Sequence, residues 1–83
     1  MALYFLHYSI PKGGDYSNLE GALAEANAKQ LLPTLWCFRR DGTNCNAIRD
    51  IFADHFQTDD RFFVSEVANW SVCGLSGFSP FDV

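Results

Sequence analysis

His7 and Ser9 stand two residues apart in the run Tyr4-Phe-Leu-His-Tyr-Ser9, and a strand there places both side chains on one face. A serine hydroxyl becomes a nucleophile when a base lies within hydrogen-bond reach. Residues two apart along a strand are separated by about 7 Å, so proton transfer between these two needs a second chain to bring its own His7 closer. The plain alternative is a strand histidine with a local hydrogen bond, and His55, on an apolar helical stripe, reads the same way. Arg39 and Arg40 follow Trp36 and Phe38 closely. Arginine pairs bidentately with phosphate and aromatic rings stack on bases, so this run is the candidate nucleic-acid contact. Lys12, soon after Ser9, and Arg49 extend it only if folding gathers them. Against that stands a structural role, with Trp36 and Phe38 in a core or interface and the arginines solvating a turn beside Asp41.

Among the carboxylates, Asp15 lies in a loop, where it is either a metal ligand or a support for the following helix N-terminus. Asp59 and Asp60 are adjacent, so they diverge on entering a strand and read as turn residues. Gly13-Gly14 lacks the rest of a phosphate-binding loop. Cys37, Cys45 and Cys73 form neither a CxxC pair nor an even set, which argues for reduced cysteines in a cytoplasm rather than a disulfide or zinc scaffold.

The elements that must position these residues follow from hydrophobic spacing. Ala2–Ile10 is a strand ended by Pro11, and Pro-Lys-Gly-Gly-Asp makes a loop. Ser17-Asn-Leu-Glu20 has capping-box spacing ahead of Leu19, Ala22, Leu23 and Ala26, which predicts a helix over about Ser17–Lys29. Leu31–Arg40 reads as a strand that Pro33 kinks, confines to an edge or breaks in two. After the Asp41-Gly42 turn, Thr43 or Asn44 caps a second helix with the stripe Ala47, Ile48, Ile51, Phe52, His55 and Phe56. Arg61–Val67 is a further strand, and Asn69–Cys73 a last short one before a tail over 74–83. This order predicts one α+β domain over 1–83, a ferredoxin-like split βαβ (βαββαβ plus a short C-terminal strand) with an antiparallel sheet and both helices on one face.

In the first strand Leu3 and Phe5 oppose Tyr4, Leu6 and Tyr8; in the later one Phe62 and Val64 oppose Phe63 and Val67. Two-sided apolar strands require both sheet faces to be covered. Two helices cover one, and a second copy of the chain is the economical cover for the other, so a homodimer is expected. Ten acidic residues against six basic ones give a net charge of −4. That weighs against general nucleic-acid binding, which comes from Lys and Arg neutralising phosphates, and leaves room for a local basic strip. No run approaches the roughly 18 apolar residues of a membrane span, so no membrane partner is expected.

The pieces Tyr4-Phe-Leu-His-Tyr-Ser9, Leu31-Leu-Pro-Thr-Leu-Trp-Cys-Phe38, Ile48-Arg-Asp50 and Asp59-Asp-Arg-Phe-Phe-Val64 occur in an order and spacing that resembles the small CRISPR-associated nuclease family. This is the second Cas protein of the adaptation machinery, here closest to its short, stand-alone SinR-like branch. The resemblance implies a ferredoxin-like subunit, a two-fold dimer packed sheet to sheet, a role in antiviral defence and, in some members, metal-dependent cleavage of RNA or double-stranded DNA. It also implies an active site at the end of the first strand, with one Asp from each subunit holding a divalent cation. Ser9 stands at that position. A neutral hydroxyl is a poor ligand for Mg²⁺, leaving little to hold a metal that would activate water. The expectation is therefore a cytoplasmic, nucleic-acid-linked homodimer, either a degenerate or weak metal-dependent endonuclease or a structural dimer that docks nucleic acid or partners, with Ser9 an impaired catalytic position and Lys12, Arg39 and Arg40 as nucleic-acid contacts. No residue is assigned as a metal ligand, and Mg²⁺ or Mn²⁺ enters only if nuclease activity is retained. The alternatives are an active nuclease using Asp15 with backbone carbonyls, and a non-enzymatic regulatory or protein-interaction dimer. In the resembling family the C-terminal strand reaches onto the partner, which would make Phe78 and Phe81 anchors of the tail.

Overall fold

The four strands β1 (Ala2–Ser9), β2 (Lys29–Leu32), β3 (Leu35–Arg40) and β4 (Arg61–Glu66) form one antiparallel sheet in the order β2-β3-β1-β4. Helices α1 (Ser17–Glu25) and α2 (Cys45–Ala53) make the two crossovers. The structure, a computed structural model, describes residues 2–71. Its α+β, split βαβ topology is the ferredoxin-like arrangement expected from the element order. Each helix returns the chain past a neighbouring strand, which leaves β1 and β3 in the interior of the sheet and β4 at an edge.

The core lies between the helices and one sheet face. Tyr4 and Leu6 of β1, Phe38 of β3, Leu19 and Leu23 of α1, and Ile48 and Phe52 of α2 form the buried cluster. Tyr8, Trp36, Phe62 and Val64 pack around it, half-buried. Strand alternation sends Leu3, Phe5, His7 and Ser9 to the opposite face. Leu3 and Cys37 are buried on that side too, whereas His7, Ser9 and Phe63 are exposed. Burial pushes the Cys37 thiol up to about 11.

Helix α1 ends at Glu25, four residues before the spacing of its apolar stripe suggested. Asn27 takes a left-handed φ of 56°, a conformation asparagine tolerates. The amides of Asn27 and Ala28 then bond back to Ala24 and Leu23, a Schellman closure that stops the helix. The expected capping box does not form either. Tyr16 is the N-cap residue without a side-chain cap bond, and Asp15 Oδ1 accepts the Ser17 N–H at 3.0 Å. Helix α2 is capped by Asn44, whose Oδ1 accepts the Ala47 N–H at 2.9 Å.

Of the three readings of Pro33, the structure selects the break. Leu32 pairs with Leu35 across a Pro33-Thr34 turn, so Lys29–Arg40 is a hairpin rather than one strand. In α2, Ile48 and Phe52 are buried, but Ile51 is 64% exposed and lies off the stripe to which its spacing assigned it. Asn69–Ser71 form no strand; the rest of that expected strand, and the tail over 74–83, lie outside the described residues. Among the described residues no helix is long and apolar enough to cross a membrane.

Candidate functional site

Ser9 is the last residue of β1 and sits directly opposite Arg61, the first residue of β4. One step inward on the same face, His7 pairs with Phe63, and their rings meet edge to face at 5.5 Å. These four side chains surround a shallow hollow of about 340 Å³ whose floor is completed by Tyr8 and Phe62. The corner follows from local rules. Alternation puts positions 7 and 9 on the face turned from the helices, and the antiparallel register puts positions 63 and 61 beside them.

The same alternation sorts charge. On the face away from the helices, Lys29 lies opposite Cys37, Arg39 opposite Leu3 and Arg61 opposite Ser9. These are three of the chain's six basic residues. Among the described residues no strand residue on that face is Asp or Glu, and the one strand carboxylate, Glu66, pairs with Tyr4 on the helix side. The two carboxylates nearest Arg61 in sequence are engaged elsewhere. Asp59 pairs with Lys12 at 2.5 Å, and Asp60 Oδ2 accepts both the Tyr16 hydroxyl at 2.6 Å and the Gln57 N–H at 2.7 Å. The bond to Asp60 pushes the Tyr16 phenol up to about 12.

The residues singled out in the sequence do not gather into one strip. Arg39, paired with Leu3, is six residues along β1 from Ser9, about 20 Å at strand rise. Arg40 faces the helices, where its guanidinium donates to the Ala26 and Arg39 carbonyls and lies 5.9 Å from the Phe38 ring centroid. It acts there as a brace between β3 and the end of α1. Lys12 is held at Asp59, and Arg49 pairs with its neighbour Asp50 and with Asn46. Trp36 lies on the helix side and donates its indole N–H to the Tyr8 hydroxyl at 3.2 Å, so it is not a base-stacking platform. His7 is exposed against Phe63 rather than partly buried, and His55 packs against Phe52.

Sequence reasoning passed over Arg61 and Phe63 as functional residues. Their common face was visible in the period-two spacing Arg61-Phe-Phe63, but the Ser9–Arg61 pairing joins segments far apart in the chain and has no local signal.

A divalent cation does not suit this corner. It would meet a hydroxyl and a guanidinium, and hard cations want anionic oxygen. The substitute ligand weighed from the sequence, Asp15, spends Oδ1 on the Ser17 amide, which holds its carboxyl below the usual range. Among the described residues no three His, Cys, Asp or Glu side chains converge. No protein-family model, curated protein or solved structure matches the chain.

Proposed function

We propose that this chain is a cytoplasmic, homodimeric, nucleic-acid-linked protein of the small CRISPR-associated Cas-two-like family, with metal-dependent cleavage weak or lost because Ser9 fills the carboxylate position. One observation carries the nucleic-acid half of this reading. In a chain of net charge −4, half of the basic residues stand on one sheet face that has no strand carboxylate. Phosphate contacts are made by individual Lys and Arg side chains, so a face of one charge sign can bind despite the net charge.

The dimer half is supported by the middle of the same face. Phe5 and Leu35 are half-buried there, apolar surface that a second copy would cover. Lys29 and Arg61 sit on the edge strands β2 and β4, and Arg39 at the end of β3. Sheet-to-sheet packing through the middle therefore leaves Lys29 and Arg61 on the rim, where RNA or double-stranded DNA would reach them. Loss of the metal position leaves docking of nucleic acid, or of a protein partner on it, as the remaining role.

Light scattering combined with a salt series of RNA and duplex binding tests the reading. The expected result is the mass of two chains, with log affinity falling against log salt by about 0.7–0.9 per phosphate contact. A monomer, or no binding at low salt, overturns it; a dimer without binding favours the protein-interaction dimer instead.

A further inference from the structure

We infer that the Ser9–Arg61 corner is an anion site that holds the phosphate of one nucleotide unit, with the nucleotide's base against Phe63. The inference deepens the nucleic-acid reading and rests on it for the natural source of the ligand, a nucleotide within a strand; a free nucleotide presents the same chemistry.

The guanidinium of Arg61 has no hydrogen bond or ion pair among the described residues. This is unusual beside two aspartates, and the reason is geometric. Asp59 is taken by Lys12, and Asp60 by Tyr16 and the Gln57 amide. Strand alternation then turns Arg61 to the other side of the sheet, leaving a positive charge with a planar fork of donors open to solvent. Bidentate pairing with phosphate oxygens is the contact that fork makes best.

Directly opposite, at the spacing of about 5 Å that cross-strand neighbours share, the exposed Ser9 supplies a hydroxyl donor. His7, about 7 Å further along the same face, lines the hollow beside them. None of the described residues lining the hollow is a carboxylate.

The wall beside the donors is aromatic. Phe63 is two residues from Arg61 on the same strand face and 58% exposed, while the His7 ring touches it edge-on. An exposed ring beside a cation is how single-stranded nucleic acids are held, the base stacking while the backbone pairs with the cation. The volume of about 340 Å³ is at the small end of ligand sites, roughly 300–1,000 Å³, and admits one nucleotide unit. The corner lies at the end of β1 and on the edge strand β4, so a ligand enters from the side of the sheet.

The test uses the full chain and three probes: a fluorescent oligothymidylate of about ten nucleotides, thymidine monophosphate and inorganic phosphate. Arg61→Gln and Phe63→Leu are compared with the parent, thermal melts confirming that each variant folds. Arg61→Gln is expected to weaken all three probes by about tenfold and to lower the salt slope for the oligonucleotide by about one. Phe63→Leu is expected to weaken the two thymidine probes by roughly fivefold and leave phosphate unchanged. Oligonucleotide binding that is indifferent to Arg61→Gln overturns the site while the nucleic-acid reading survives through other contacts. Arg61-dependent binding of the mononucleotide and phosphate, without the oligonucleotide, upholds the site and removes that reading. Thymidine probes that bind Phe63→Leu as they bind the parent overturn the base contact, and no binding of any probe at low salt overturns both proposals.

Discussion

Tyr16 donates its phenolic hydrogen to Asp60 Oδ2 at 2.6 Å, tying the start of α1 to the entry of β4. Because Asp60 is held there and at the Gln57 amide, β4 begins with Arg61 turned to the opposite face. The bond also favours the protonated phenol, pushing it from an ordinary value of 10.0 up to about 12. A raised folded-state value means stability that is complete below the unfolded value and lost as pH rises through the folded one. The parent should therefore be more stable than Tyr16→Phe by a constant margin below about pH 10, and the margin should shrink between pH 10 and 12. Paired thermal melts across that range check this; a margin that persists unchanged at pH 12 means the hydroxyl does not donate to Asp60.

The two helix starts behave differently under the same substitution. Asn44 satisfies the Ala47 amide with its side chain, so Asn44→Ala should cost about 1 kcal/mol. Ser17 offers no cap bond from its side chain, so Ser17→Ala should change stability by less than about 0.5 kcal/mol. Urea unfolding of both variants measures the pair. Equal costs would mean that the box read from Ser17 and Glu20 forms after all.

That contrast shows what the chain states locally and what it does not. The order of strands and helices was legible because Leu19, Leu23, Ile48 and Phe52 keep helical spacing and β1 alternates. The end of α1 was legible in principle at Asn27, since asparagine is the commonest substitute for glycine in the left-handed closing position. Ser17 misled because the helix starts one residue earlier: the Tyr16 carbonyl accepts the Glu20 N–H that a Ser17 cap would have taken, and Asp15 accepts the Ser17 N–H. The candidate site was legible only in part. Position 9 could be singled out from the end of its strand, but its neighbour Arg61 depends on sheet register, and the separation of Arg39 from Ser9 depends on strand order. Neither has a signature within a short window of sequence.

Burial ranks the aromatic residues of β3 in an order that can be measured. Phe38 is 1% exposed and contacts the Tyr4 and Phe52 rings, so Phe38→Ala should cost about 3–5 kcal/mol. Trp36 is half-buried and bonded to the Tyr8 hydroxyl. Trp36→Ala should cost less, roughly 2 kcal/mol, and Trp36→Phe about 1 kcal/mol for the lost hydrogen bond. A larger loss at Trp36 than at Phe38 would mean that the indole, not the Phe38 ring, is the more enclosed of the two.

Under the proposed family reading, a carboxylate at position 9 from each subunit would share a cation, yet here Arg61 stands directly opposite. In Ser9→Asp alone, the new carboxylate is therefore expected to pair with Arg61, worth roughly 0.2–1 kcal/mol for an exposed cross-strand pair. Its melting temperature should hardly respond to millimolar Mg²⁺ or Mn²⁺. Combining Ser9→Asp with Arg61→Gln removes that competitor and leaves two carboxylates close across the dimer axis, which repel unless a cation lies between them or one is protonated. The double variant should melt lower than the parent without metal, rise again with either metal because binding to the folded state stabilises it, and cleave nucleic acid above the parent's level. Melts of the double variant that ignore both metals, with cleavage at background, would remove position 9 from the metal-binding role and favour the interaction-dimer reading over the nuclease lineage.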